Sequence, residues 1–178
     1  MLNPSPDQLG YAGSTFDLTG LLSLSNTVIV TNTQYFAFLR AVSPRAAGTV
    51  TLAYSVGVVG ATVTSALFSL YLLSGTTFTQ LGTSADASAA MTTATGKTLS
   101  IPTSAALVAG ASLLVGFRIA ATTMPQLQTG GFPSNKFPPV GTGAYSATQG
   151  GTVALPTTLT LAAYNAQALF NVFAFGLY

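Results

Sequence analysis

The chain has no cysteine, no histidine, no glutamate and no tryptophan. Each absence removes a class of chemistry. Without cysteine there is no disulfide framework and no thiol nucleophile. Without histidine, neither a Ser-His-Asp nor a Cys-His arrangement can be assembled. A transition metal finds none of its preferred ligands. Charge is nearly missing too. Only 4% of residues are charged, against about 25% in an average soluble protein. The acids are Asp7, Asp17 and Asp86, and the bases are Arg40, Arg45, Lys97, Arg118 and Lys136. A net charge of +2, spread this thinly, makes no nucleic-acid footprint. Three scattered aspartates do not form a calcium loop. The GG and GTG groups between 130 and 151 lack the strand and helix that flank a phosphate-binding loop. No cofactor is expected, and the chain reads as non-enzymatic.

With so few charges, the solvent face must be polar through Thr, Ser, Asn and Gln. Such a surface gives little protection against self-association, which favours a protein whose surface is largely buried in an assembly. Mean hydropathy is +0.57, so a membrane span must be considered. The longest uncharged apolar stretch, Thr49 to Leu73, is rich in Thr and Val. It suits two strands better than one spanning helix. The ending FNVFAFGLY has the aromatic terminus of an outer-membrane barrel strand, but the strands share no apolar-out, polar-in pattern. Membrane insertion is not expected. The opening MLNPSPDQLG has neither the basic nor the apolar region of a signal peptide, so folding in a cytoplasm is expected.

What is present is strand signal. A chain of 178 residues buries roughly 70% of its unfolded surface. Ser65 to Ser84 reads as a hairpin: Ala66, Phe68, Leu70 and Leu72 alternate with Leu67, Ser69, Tyr71 and Leu73, and Ser74-Gly75 supplies the turn. Both of its faces are apolar, so other strands must cover it. The candidates for that cover are Gln34–Val42, Ala111–Ala120 and Gln167–Tyr178. Further strands are expected at Thr27–Thr31, Gly48–Val59, Gly96–Pro102 and Thr157–Ala163, with a loop of small residues over 83–95. Met124 to Leu155, dense in Gly and Pro, reads as a long loop region. The spacing therefore predicts an all-β fold: an antiparallel, jelly-roll-like β-sandwich of about eight strands, with no helix beyond a turn or two. Residues 1–31 form an irregular N-terminal arm. Residues 32–178 form a single domain carrying the 124–155 loop region.

Few residues compete for a functional role. Asp17 and Asp86 are the one conceivable glycosidase pair. A Ser-Lys pair would need Lys97 or Lys136. Arg40 and Arg118 interrupt apolar strands, either as outward residues whose stems cover the sheet or as partners for Asp86 or Asp17 across a subunit boundary. Phe132, Phe137, Tyr145 and Tyr164 are candidates for a recognition surface, because aromatic rings can stack on sugars. The competing reading makes them core or loop anchors.

Three stretches carry a resemblance: FAFLRAVSPRAAGTVT, then LFSLYLLSGTTFTQLGTSAD, then GKTLSIPTSAALVAGASLLVGFRIAATTMPQL. The strand ending in a Pro/Gly turn, the hairpin from FSLY through Gly75 to Leu81-Gly82, and the strand entered through LVAGASLLVG together resemble the β-sandwich modules of tail-fibre and other minor structural proteins of tailed bacteriophages. The match spans roughly Phe36 to Leu127 and rests on structural residues. The chain lacks the long collagen-like or coiled-coil segments of such fibre proteins. The resemblance implies a stand-alone virion component, in the tail fibre, tail tip or capsid decoration, folded in the host cytoplasm before assembly. Its partners would be other virion proteins, further copies of itself (a trimer is favoured) and possible host cell-surface glycans. The alternative is a carbohydrate-binding β-sandwich module.

Overall fold

The computed structural model describes residues 13–14, 24–31, 33–41, 43–131, 146–149, 154–165, 168–169, 171–173 and 175–178. Its strands, in chain order, are β1 (Gly13–Ser14), β2 (Leu24–Val28), β3 (Gln34–Ala41), β4 (Gly48–Val58), β5 (Ala61–Ser74), β6 (Thr77–Thr83), β7 (Thr95–Thr103), β8 (Ser112–Thr123), β9 (Gln126–Gly131), β10 (Ser146–Gln149), β11 (Thr158–Thr160), β12 (Ala168–Leu169), β13 (Asn171–Phe173) and β14 (Gly176–Leu177). Every pairing among them is antiparallel. A 3-10 turn covers Ser88–Thr92, and one short helix, α1, covers Leu161–Asn165.

The protein is an all-β sandwich. The first layer runs β11-β6-β5-β8-β3, and β10 continues it along Gln34 to Ala37. The second layer is built on β4, with β7 on one edge and both β14 and β9 on the other. The layers join at a corner where β1 pairs with Ala41 and Arg40 of β3 and with β14. On the opposite side the Ser104 N–H donates to the Leu81 carbonyl at 3.0 Å. Gly82 lies so close to Pro102 that a Cβ there would run into the Pro102 carbonyl oxygen. The main hydrogen-bonded path nonetheless runs from β11 to β13 without closing into a barrel.

The expected hairpin is β5 and β6. Gly75, at φ 59°, takes the first place of its two-residue turn, where a residue without Cβ costs least. Phe68 and Leu70 of β5 face the interior between the layers, and so do Tyr35, Ala37 and Leu39 of β3 and Leu113, Val115 and Phe117 of β8. The facing layer contributes Val50, Leu52, Tyr54 and Val56 of β4, Ile101 of β7 and Leu127 of β9. An aromatic row crosses this interior. Tyr35 stacks on Phe117 at 5.3 Å, Phe117 on Phe68 at 5.6 Å, and Phe68 on Tyr54 of the facing layer at 4.9 Å. Phe173 and Phe175 meet Phe117 edge-on at 4.8 and 5.6 Å. Each such pair contributes about 0.5–1.5 kcal/mol beyond burial.

Several expectations need correction. β3 and β8 do not lie over the hairpin; they extend it sideways in the same layer, and β4, β7 and β9 provide the cover. Apolar strands of one layer present the same pattern as apolar strands of facing layers, so periodicity does not separate them. Second, the 124–155 region contains β9 and β10. Within β9 the alternation holds, with Leu127 and Thr129 buried and Gln126 and Gln128 half-buried between them; the glycines that follow mask it in any wider window. Third, the strand expected over Thr157–Ala163 ends at Thr160. The Thr160 hydroxyl accepts the Ala163 N–H at 3.1 Å, as a helix cap does, and Leu161–Asn165 turns helical. Fourth, the C-terminal strand is divided into β12, β13 and β14. The stretch expected as an arm contributes β1 and β2 to the sandwich, and the first regular strand there runs Leu24–Val28 rather than Thr27–Thr31.

Candidate functional site

The recognition candidates Phe132, Phe137 and Tyr145 lie outside the described residues, as does the side chain of Tyr164, whose backbone belongs to α1. Asp17 lies outside them as well. Asp86 is described, and its carboxylate holds three hydrogen bonds within the fold. It accepts the Ala66 N–H at 2.7 Å, the Ser88 N–H at 3.1 Å and the Ser88 hydroxyl at 2.8 Å. Ser84 adds a hydroxyl that accepts the Phe68 N–H at 3.2 Å. Together they satisfy the edge of β5 beyond the point where β6 departs. Desolvation pushes the Asp86 carboxyl up, but its three hydrogen bonds outweigh that and hold it below the usual aspartate value. A general acid needs the opposite shift. Lys97 donates to the Thr93 hydroxyl at 2.7 Å in an exposed setting, where no third described group orients the pair as a nucleophile and its base are oriented. Among the described residues, no three His, Cys, Asp or Glu side chains cluster as metal ligands.

A polar constellation lies on the outer face of the first layer. Its rows follow from register. Gln34, Arg118 and Leu67 lie side by side, as do Phe36, Gly116, Ser69 and Thr83, and then Phe38, Leu114, Tyr71 and Gln80. The Ser69 and Thr83 hydroxyls share a hydrogen bond of 2.7 Å, and the Gln80 side-chain amide donates to Ser69 at 3.0 Å. Gly116 makes room for the rings of Phe36 and Tyr71, which meet at 6.0 Å; a Cβ at Gly116 would stand 2.9 Å from both. Below these rows an apolar cluster joins Phe36, Phe38, Tyr71, Phe78 and Leu114 to Leu155 and Leu159.

The strap that brings Leu155 and Leu159 down is held through backbone groups. Tyr71 donates its hydroxyl to the Pro156 carbonyl at 2.8 Å, and Gln34 donates its amide to the Ala154 carbonyl at 3.2 Å. The Gln80 N–H reaches the Thr157 carbonyl at 2.9 Å, and the Leu161 N–H reaches the Thr76 carbonyl at 2.8 Å. Burial pushes the Tyr71 phenol up to about 12, with hydrogen bonds to Gln80 and Ser69 offsetting part of the rise.

This constellation can recognise hydroxyls or hold a strap, but it offers no activated nucleophile: its hydroxyls bond to one another and to amides, not to a base. Sequence reasoning passed over it. The available signal was Ser69 inside ALFSLYLL and Arg118 inside LLVGFRIA, polar residues in strands otherwise apolar. Arg118 is half-buried in its row, while Arg40 is exposed near the corner with β1. Among the described residues, no helix is long and apolar enough to cross a membrane. No protein-family model matches the chain, and no curated protein matches it.

Proposed function

We propose that the chain is a non-enzymatic structural protein of a bacteriophage virion, at the tail fibre, tail tip or capsid surface, assembling as an oligomer and displaying loops for attachment. The observation that carries this reading is where the polar and charged groups are spent. Asp86 and Ser84 satisfy the β5 edge, Ser69, Thr83 and Gln80 bond to one another across β5 and β6, and Tyr71 holds the strap, as the parts of a scaffold do. The stretch that resembles virion modules, Phe36 to Leu127, runs from β3 into β9 and forms most of both layers. With eight charged side chains in all, little repulsion opposes close packing of copies.

The test is placement. An antiserum raised against the purified chain should decorate tailed particles from the producing cells at one fixed position in negative stain. Particles that carry no label at any position would remove the reading.

A further inference from the structure

The strap over 154–161 sits on the first layer as a bound peptide sits in a groove. It buries two side chains against the sheet, Leu155 and Leu159, four residues apart. Most of its remaining hold is main chain. Its carbonyls at Ala154, Pro156 and Thr157 accept from the Gln34 amide, the Tyr71 hydroxyl and the Gln80 N–H, and Thr158–Thr160 pairs with β6 at the edge of the layer. Ala154, Thr157, Thr158 and Thr160 are exposed. Strand addition of this kind is how sheet edges recognise separate chains: main-chain hydrogen bonds give affinity, and pockets for a few side chains give specificity.

The sheet beneath does not depend on the strap. β3, β8 and β5 are held by their own ladders, from Gln34 to Arg40 and from Ala61 to Leu72. The side chains of Ser69, Thr83 and Gln80 bond to one another. The Tyr71 hydroxyl also reaches Gln80 and Ser69, so it keeps partners when Pro156 withdraws. Lifting the strap bares an apolar groove of Phe36, Phe38, Phe78 and Leu114 and strands few polar groups. A short segment held by two leucines and a few main-chain bonds belongs to the low end of local stability.

We infer that this groove is a peptide-recognition site, which the strap occupies in place of a partner's extended segment carrying leucines four residues apart. The segment seated there gives the occupant's chemistry. A groove that reads main-chain carbonyls and two leucines does not distinguish its own strap from the same pattern in another chain. The tether decides between them, because it holds the strap at an effective concentration of about millimolar. The site goes beyond the structural role proposed above and stands whether or not the chain is a virion component.

A fluorescent synthetic peptide of residues 154–161 tests it, titrated by anisotropy with the full-length wild type and with Leu155→Ser/Leu159→Ser. Vacating the groove removes the tethered competitor, so the variant should bind the peptide at least about 10-fold more tightly than the wild type. A peptide with both leucines replaced by serine should bind neither protein. A variant that keeps a cooperative melt yet binds no better than wild type would overturn the site, as would equal binding of the serine peptide. If the variant fails to fold, hydrogen exchange of the wild type decides. The Gln80 and Leu161 amides, which bond across the strap contact, should then exchange at least about 10-fold faster than that of Val115 in β8, by local opening. Exchange at the rate of Val115 would mean that the strap leaves only when the whole sandwich unfolds, and would overturn the inference.

Discussion

The two layers of the sandwich are built from similar strands but are buried differently. In the first layer β3 is buried at every position from Gln34 to Leu39, and β8 at every position from Leu113 to Phe117. One face of those strands meets the facing layer; the other meets the strap over 154–161. In the second layer β4 alternates strictly: Val50, Leu52, Tyr54 and Val56 are buried, and the residues between them are not. β7 is buried only at Ile101 and Thr103. The first layer is thus a middle layer over part of its area, and the second is a lid with one dry face. The outer faces of the two therefore differ in what they can do. Part of that of the first is occupied by the molecule's own chain, and on that of the second the described positions of β4 and β7 are half-buried or exposed.

The sharpest way to break this comparison is a matched pair of outer-face truncations. Leu114→Ala in the first layer should cost about 2–5 kcal/mol, as for other buried leucines. At about 2–4 °C per kcal/mol for a chain of this size, the loss is plain in a thermal melt. Thr98→Ala on exposed β7 should stay within about 0.5 kcal/mol. Equal melting shifts for the two would mean that the strap covers nothing.

Glycines offer a second contrast. An alanine at Gly116 meets the packed rings of Phe36 and Tyr71 and should cost about 1–3 kcal/mol by overpacking. Gly96 of β7 has open space around it, so Gly96→Ala should be neutral or stabilise by up to about 1 kcal/mol through the unfolded state. Urea midpoints at unchanged slope distinguish the two, and a harmless Gly116→Ala would contradict the close ring approach.

A third contrast uses one hydroxyl from each layer. The Tyr71 hydroxyl has its acceptor in Pro156, so Tyr71→Phe should destabilise by about 1 kcal/mol. The buried Tyr54 hydroxyl has no hydrogen-bond partner among the described residues, so Tyr54→Phe should stabilise by a similar amount, about 1 kcal/mol. Burial raises both phenols to about 12. A raised folded-state pKa means stability that is whole below about pH 10, the unfolded value, and is lost as pH rises toward 12. Each Phe variant should therefore show a shallower alkaline fall in melting temperature than the wild type; unchanged slopes would speak against buried phenols.

The smallest effect expected is on the acid side, at the β5 edge of the first layer. The lowered Asp86 carboxyl contributes stability that is present above the unfolded pKa of about 3.9 and is lost as pH falls through the folded value. Asp86→Asn should lower stability slightly at neutral pH and flatten the acid limb of a melting-temperature profile. With only three aspartates and no glutamate in the chain, that flattening should stand out; an unchanged acid limb would assign no role to the three hydrogen bonds.

Much of this architecture was legible before any fold was known. The β5–β6 hairpin, with its turn at Gly75, and strands β3, β4, β7 and β8 follow from alternation and turn residues, which act over a few neighbours along the chain. β9 was hidden because the glycines beyond Thr129 outweigh four alternating residues. α1 was hidden because a single threonine cap decides it. Of the site, the candidates drawn from sequence were aromatics, aspartates, two lysines and two arginines. The constellation that the fold brings together is instead Ser69, Thr83, Gln80 and Tyr71, held by cross-strand register and therefore scattered in sequence.

By itself, then, the sequence determined the all-β class, the sparse charge and the lack of thiol and imidazole side chains, because those depend on residue types and near neighbours. Only the tertiary structure decided which apolar strands lie beside one another and which lie face to face. It also decided which layer is covered twice. Those outcomes are contacts between residues distant in the chain. The same alternating pattern serves either face, and the choice is made by whichever arrangement buries the most apolar surface while leaving the fewest backbone groups unpaired.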